Sequence, residues 1–198
     1  MRVAAQFMLS AMDAVHFPKA GPPEVAFLGR SNVGKSSLIN SLLGEKLAKT
    51  SSTPGRTRSI NFFAVRRAGR SGPELLFADL PGYGYAKLSK EISAEWPRFI
   101  EPYLEHRETL ALSIVLVDTN IPPQEKDTQL IEWLKFHQRP FVIVGTKSDR
   151  ISNNVLNNSL RALRSAFGTD DVLAYSTKVG TGRNDLWRRI GTACGLAD

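Results

Sequence analysis

The sequence predicts a three-layer α/β/α fold built around a mostly parallel sheet of six strands. Short apolar segments alternate with segments of helical spacing along most of the 198 residues. Two of them, Leu110–Val117 and Pro140–Gly145, are almost continuously apolar and rich in valine or isoleucine, as strands buried on both faces are. Polar motifs follow several apolar segments directly, and ligands bind at the carboxyl ends of parallel strands.

Six apolar segments are predicted to form this sheet. They are Glu24–Leu28, Ile60–Val65, Glu74–Ala78, Leu110–Val117, Pro140–Gly145 and Asp171–Tyr175. Residues 1–10 lack a convincing signal-peptide core and cleavage site, so we expect an ordinary first strand there. Residues 1–22 are therefore predicted to be an N-terminal strand or extension, and residues 23–198 the main domain.

Four segments have the spacing of helices. Lys35–Leu43 follows a glycine-containing loop, and apolar residues recur at helical spacing between Ile151 and Phe167 and between Leu186 and Cys194. Ile92–Leu104 has the same spacing but contains two prolines, which predicts a kinked or late-starting helix.

Composition limits the classes of protein that the chain can represent. Cys194 is the only cysteine, which excludes an intramolecular disulfide or a cysteine-cluster metal site and favours the reducing cytoplasm. No apolar run approaches the ~20 residues that a membrane-spanning helix needs. The net charge of +7 is compatible with an acidic partner such as RNA, and equally with a solvated, arginine-rich surface. We expect a monomer by default.

The strongest motif lies between the predicted strand Glu24–Leu28 and the predicted helix Lys35–Leu43. Gly29-Arg30-Ser31-Asn32-Val33-Gly34-Lys35-Ser36 matches the phosphate-binding pattern G-x-x-x-x-G-K-[ST]. Glycines let the backbone curl around phosphate with its N–H groups pointing inward. Lys35 can neutralise the β- and γ-phosphates, and the Ser36 hydroxyl can reach Mg²⁺. The motif in this context predicts a P-loop NTPase of the small-GTPase type.

A second motif, Asp79-Leu80-Pro81-Gly82, follows the segment Glu74–Ala78. An aspartate at the end of such a strand can hold Mg²⁺ through water, and the Gly82 N–H can contact the γ-phosphate. By itself this pattern is weak, and it acquires meaning because it follows the phosphate-binding loop.

A third motif, Thr146-Lys147-Ser148-Asp149, follows Pro140–Gly145. The Asp149 carboxylate can accept hydrogen bonds from the ring N–H and the exocyclic amine of guanine, a pair of donors that adenine does not offer. Lys147 would lie along the base and tie down the P-loop. The motif therefore predicts guanine rather than adenine nucleotides.

The polar segment Thr50–Ser59 lies between the first two motifs. Its few apolar residues predict a loop that a ligand orders. We expect Thr57 to complete the Mg²⁺ shell when the γ-phosphate is present.

Together these stretches resemble the Era-like P-loop GTPases of the TRAFAC class, and within them the EngB ribosome-assembly GTPases. The resemblance rests on GRSNVGKSSLIN, TSSTPGRTRSINFF, DLPGYGYA and TKSD, and it covers nearly the whole chain. It implies a GTP-switched role in maturing the large ribosomal subunit, with rRNA as partner, and a link to cell division and septation.

The resemblance also implies site residues. Ser36, Thr57 and Asp79 would serve the Mg²⁺ ion, and Lys35, Asn32 and Thr57 would be catalytic. Nucleotide would further contact the first-switch residues Gly55, Arg56, Thr57, Arg58 and Ser59 and the last guanine-binding loop, Tyr175, Ser176 and Thr177.

Two features bear on hydrolysis. Tyr83 stands where many signalling GTPases have a water-orienting glutamine, which predicts slow intrinsic hydrolysis. Asn32 occupies a P-loop position that some related GTPases use to hold K⁺, so K⁺ stimulation is a hypothesis here.

Other interpretations of the sequence remain open. The chain could belong to another Era-like family, in tRNA modification or signalling, although such proteins usually carry additional domains. A P-loop kinase or ATPase is disfavoured by Asp149. A pure binding module is disfavoured by the intact Lys35, Ser36 and Asp79.

Overall fold

A computed structural model describes residues 2–48, 59–83 and 100–196 of the chain. Its strands are β1 (Val3–Ala11), β2 (Glu24–Gly29), β3 (Ile60–Arg67), β4 (Leu75–Asp79), β5 (Leu110–Asp118), β6 (Phe141–Thr146) and β7 (Val172–Ala174). Its helices are α1 (Lys35–Leu43), α2 (Glu125–Phe136), α3 (Asn153–Phe167) and α4 (Arg183–Ala193). Residues 100–106 are also helical.

The described strands form one sheet of seven in the order β1-β3-β4-β2-β5-β6-β7. Strands β4, β2, β5, β6 and β7 are parallel, whereas β1 and β3 run antiparallel to their neighbours. The predicted parallel core is therefore confirmed, and all five parallel strands end at the same edge of the sheet.

The predicted count of six strands is wrong, because β1 pairs with β3 and adds a seventh strand at the edge. The pairing register shifts between Phe7 and Leu9, which breaks the regular alternation of a half-buried strand. Phe7 and Met8 are both exposed as a result. The sequence indicated a strand here, but its pattern did not show that the strand joins the sheet.

Helices cover both faces of the sheet. Neighbouring residues of β2 point to opposite faces: Phe27 packs with Leu38 and Trp187 in one buried cluster, and Leu28 packs with Ile131 in another. The two clusters confirm the three-layer arrangement. In the described residues, no helix is both long and apolar enough to cross a membrane.

Helix α2 was not predicted from the sequence. Leu130, Ile131 and Leu134 are its buried apolar residues, and their helical spacing is a signal that could have identified it. Of the predicted kinked helix, residues 92–99 lie outside the described residues, while residues 100–106 are helical as expected.

A buried carboxylate anchors the helical segment 100–106 to the sheet. Glu24, at the start of β2, is fully buried and accepts hydrogen bonds from Tyr103 (2.8 Å), Arg107 (2.9 Å to Nε) and Thr109 (2.8 Å). Burial, together with the Glu24 charge, raises the pKa of Tyr103 well above its ordinary value. This network lies at the opposite end of β2 from the motifs, so it is a structural anchor.

Candidate nucleotide site

The P-loop joins the end of β2 to the start of α1. Asn32 and Gly34 have positive φ angles of 65° and 105°, and the Val33 N–H donates to the Arg30 carbonyl at 3.2 Å. Gly34 is the residue before the helix, where its φ angle strains any side chain. No side chain caps α1, and its first turn has no acidic residue. The first-turn N–H groups and the helix dipole therefore favour a bound anion.

Lys35 and Asp79 form an ion pair across the sheet. Their side chains are 11% and 6% exposed, so both charges lie in a largely enclosed place. The pair forms because β4 is parallel to β2, with Asp79 in register with Phe27, two residues before Gly29. The tertiary structure thus joins the first two motifs at one point.

The end of the second motif lies against the P-loop. The Tyr83 N–H donates to the Gly29 carbonyl, and the Ser31 N–H donates to the Tyr83 carbonyl, both at 3.3 Å. A Cβ atom on Gly82 would lie 3.2 Å from the Ser31 nitrogen and hydroxyl, tighter than most such contacts. Glycine at position 82 therefore permits the close approach of these two segments.

On the other side of the P-loop, the third motif bonds to its backbone. The Lys147 ammonium donates to the Asn32 carbonyl (2.9 Å) and to the Asp118 carboxylate (2.7 Å). The Thr146 hydroxyl lies 2.7 Å from the Val33 carbonyl. The expected contact between Lys147 and the P-loop is thus present.

Asp149 and Ser176 come together at the end of the sheet. The Ser176 hydroxyl donates to the Asp149 carboxylate at 2.6 Å, and this bond lowers the pKa of Asp149. The backbone brings them together, because the Ser148 N–H donates to the Tyr175 carbonyl and the Tyr175 N–H donates to Gly145. Asp149 is exposed, so an ionised acceptor is available to a ligand.

The predicted residues divide by exposure. The buried predicted residues are Gly29, Val33, Asp79, Leu80, Pro81, Thr146, Ser148, Tyr175 and Ser176, and Lys147 is half-buried. Among them, the apolar residues Val33, Leu80 and Pro81 can offer a polar ligand only their backbone. Asn32, Asp149 and Thr177 are exposed, whereas Arg30, Ser31, Gly34, Lys35, Ser36, Ser59 and Gly82 are half-buried. Gly55, Arg56, Thr57 and Arg58 lie outside the described residues.

Two residues whose contacts support the site or the helix after the P-loop were not predicted from the sequence. Asp118 binds Lys147, and it follows the buried segment Leu110–Val117 directly, which is the signal that could have identified it. Arg183 donates to the carbonyls of Ser41 (2.9 Å) and Leu42 (3.0 Å) at the end of α1. No local pattern around Arg183 indicates this contact.

The donor set fits Mg²⁺ bound together with phosphate. Ser36 in the P-loop and Asp79 next to the P-loop offer hard oxygen ligands. Among the residues described, no three His, Cys, Asp or Glu side chains cluster as a metal cage. Mg²⁺ commonly keeps several waters and is held by one or two protein oxygens plus phosphate.

The fold and the three converging motifs define the class of protein, a P-loop GTPase. A model of the family described as "50S ribosome-binding GTPase" matches residues 24–147. Within the class, relatives that are 58% and 57% identical over nearly the full length show that the chain belongs to the EngB family of GTP-binding proteins.

Curated relatives support this assignment over nearly the full length. A probable GTP-binding protein EngB of Koribacter versatilis is 58% identical, covering 98% of this chain and 96% of the relative. The corresponding protein of Acidobacterium capsulatum is 57% identical over 96% of this chain and 90% of its own length.

Solved structures show the same fold. A probable EngB GTP-binding protein superposes with a TM-score of 0.69 at 23% identity, covering 88% of this chain and all of the other. Era from Aquifex aeolicus, bound to GDP and aluminium fluoride, gives 0.73 at 21% identity, covering 90% of this chain and 59% of Era. Era with MgGDPNP and a 16S rRNA segment gives 0.70 at 23% identity, covering 89% and 58%.

Proposed function

We propose that this GTPase binds GTP and GDP with Mg²⁺, hydrolyses GTP slowly and acts as a GTP-dependent switch in assembly of the large ribosomal subunit. The observation that carries the nucleotide part is the convergence on the P-loop. Lys147 bonds its backbone from one side, and Asp79 pairs with its Lys35 from the other. A nucleotide that spans these two contacts meets a base-recognising carboxylate and a phosphate-binding lysine.

The phosphates lie on the P-loop in this proposal. The backbone N–H groups of residues 29–36 surround them, Lys35 neutralises their charge and the Gly82 N–H contacts the γ-phosphate. Ser36 and Asp79 hold Mg²⁺, Asp79 through water, and Thr57 completes the shell from the segment Gly55–Ser59. The ion would offset charge on the phosphates.

Guanine is recognised by Asp149. The Ser176 hydroxyl donates a hydrogen bond to one oxygen of the Asp149 carboxylate and so fixes the orientation of the carboxylate. The remaining lone pairs can accept from the ring N–H and the exocyclic amine of guanine. Adenine presents no such pair and would leave the carboxylate unpaired. The Tyr175–Thr177 segment supplies backbone around the base.

Slow hydrolysis follows from the surroundings of Tyr83. Its ring packs against the hydrophobic core and its hydroxyl donates to Asp127 at 2.9 Å. A phenol held in this way does not replace the amide that orients water in signalling GTPases. Asn32, with Lys35 and Thr57, is the proposed catalytic group, and K⁺ bound beside Asn32 would stabilise developing negative charge. Equal hydrolysis rates in matched K⁺ and Na⁺ buffers would contradict the K⁺ role.

The ribosomal role is supported by the family rather than by the site. The matching family is described as ribosome-binding, and a solved Era structure holds a ribosomal RNA segment. A net charge of +7 suits binding to an RNA surface. We extend this to a cytoplasmic monomer that is needed for normal cell division and septation.

Two measurements test the proposal. Competition binding should show that GDP and GTP displace a labelled guanine nucleotide whereas ATP does not, and equal displacement by ATP would remove guanine specificity. Sedimentation with large ribosomal subunits should depend on a GTP analogue and weaken with salt. No sedimentation in any nucleotide state would remove the ribosome while leaving the GTPase.

A further inference from the structure

The contacts of Tyr83 extend beyond the P-loop to helix α2. Its backbone bonds Gly29 and Ser31 of the P-loop, and its phenol donates to the Asp127 carboxylate at 2.9 Å. A single residue thus connects the P-loop, the end of the second motif and a helix that carries none of the predicted site residues.

Asp127 lies in an unusual place for a carboxylate. It is 3% exposed, and burial raises its pKa although the Tyr83 hydroxyl and the positive charge of Arg30 favour the ionised form. Burial of an ionisable group is costly unless partners satisfy it. The hydrogen-bond partner of this carboxylate belongs to the nucleotide site, because Tyr83 directly follows Gly82. The positive charge that favours its ionised form comes from Arg30 in the P-loop. Its position in the first turn of α2 adds a favourable helix dipole.

We propose that Asp127 is a positioning residue for recognition of the γ-phosphate. By accepting the Tyr83 hydroxyl, it keeps the backbone of residues 82–83 beside the P-loop, where the Gly82 N–H can meet the γ-phosphate. This inference rests on the proposed role of Gly82. GDP has no γ-phosphate, so Asp127 acts on the affinity for GTP and leaves the affinity for GDP unchanged.

The choice between nucleotides separates this role from a purely structural one. A residue that only stabilised the fold would change the affinities for GDP and GTP together. A positioning residue changes their ratio, and its effect depends on the partner through which it acts.

The experiment measures dissociation constants for GDP and a non-hydrolysable GTP analogue in Mg²⁺ buffer. The variants are Tyr83→Phe, Asp127→Ala, their combination, and Asp127→Asn, which keeps an acceptor oxygen. Asp185→Asn is the matched control, since Asp185 is an exposed aspartate that pairs with Arg188 in α4.

Loss of the hydrogen bond should weaken binding of the GTP analogue by about fivefold in either Tyr83→Phe or Asp127→Ala. The affinity for GDP should change by less than about twofold in each variant. The double variant should bind the GTP analogue as tightly as the single variant with the lower affinity. Asp127→Asn should retain most of the affinity for the GTP analogue. Because Tyr83→Phe removes a single oxygen atom, it provides a test even where Asp127→Ala fails to fold.

An unchanged ratio of the two dissociation constants in Tyr83→Phe would overturn the inference, as would independent, additive effects in the double variant. In both cases the wild type would still bind guanine nucleotides, and the proposed function would stand. A wild type that bound neither nucleotide would remove the proposed function and this inference with it.

Discussion

The guanine side and the phosphate side of the site are built in different ways. On the guanine side, side chains from the end of β5 and from the segments after β6 and β7 bond one another and the P-loop backbone. In the described part of the phosphate side, the contacts include the ion pair of Lys35 with Asp79 and backbone bonds made by Tyr83.

This difference assigns different tasks to the two sides. The groups that orient Lys147 and Asp149 are protein groups, so we expect them to keep their positions whichever nucleotide is bound. On the phosphate side, Lys35, Asp79 and Gly82 are the groups that we propose to bind phosphate and Mg²⁺. Their mutual contacts must be shared with the ligand, so this side is suited to report whether the γ-phosphate is present.

The largest effect is expected from Asp149→Asn on the guanine side. An amide cannot accept both guanine donors, so affinity for GDP should fall at least ~100-fold, since a site built for hydrogen bonds strongly rejects an unmatched base. Xanthine has a carbonyl in place of the exocyclic amine and should match the new amide donor. Competition with GDP and xanthosine diphosphate measures this, and equal loss for both would contradict the assigned contact.

On the phosphate side, Asp79→Asn should act through Mg²⁺. Groups that orient a metal site typically contribute 10- to 100-fold in affinity, so we expect a loss of about tenfold for a GTP analogue in Mg²⁺. With the metal removed by EDTA, variant and wild type should bind alike. A loss of the same size in EDTA would show that Asp79 acts only through Lys35.

Asp118→Asn tests whether the guanine side is independent of the γ-phosphate. Burial disfavours the ionised Asp118, yet hydrogen bonds from Lys147 and Asn120 lower its pKa overall. Weakening the bond to Lys147 should reduce affinity for GDP and for a GTP analogue equally, on the order of fivefold to tenfold. Calorimetry with both nucleotides measures this, and a selective effect on the GTP analogue would break the division between the two sides.

The smallest effect is expected far from both sides, at Glu74. The Arg67 side chain donates to the Glu74 carboxylate, and together with the Arg67 N–H it lowers the pKa of Glu74 from 4.5 to about 2. A lowered pKa stabilises the fold above 4.5, and this contribution is lost as the pH falls toward 2. Glu74→Gln should therefore be slightly less stable than wild type in urea at pH 7 and indistinguishable near pH 2. Nucleotide affinity should not change.

Particular residues show where prediction from sequence succeeded and failed. Segments such as Leu110–Val117 were recognised because a strand buried on both faces is apolar throughout. Strand β1 was not placed in the sheet, because its irregular register at Phe7–Leu9 hides the alternation of an edge strand. Asp127 carried no local signal, since its role depends on Tyr83, which is 44 positions away.

By itself, the sequence determined the fold class, the P-loop and the family, because these depend on periodicity and on residue types at fixed spacing within short segments. Only the tertiary structure decided which side chains reach which loop. Tyr83 and Asp127 are 44 positions apart in the chain, and so are Lys35 and Asp79. Such contacts exist because parallel strands bring their carboxyl ends to one edge, and no local pattern encodes that juxtaposition.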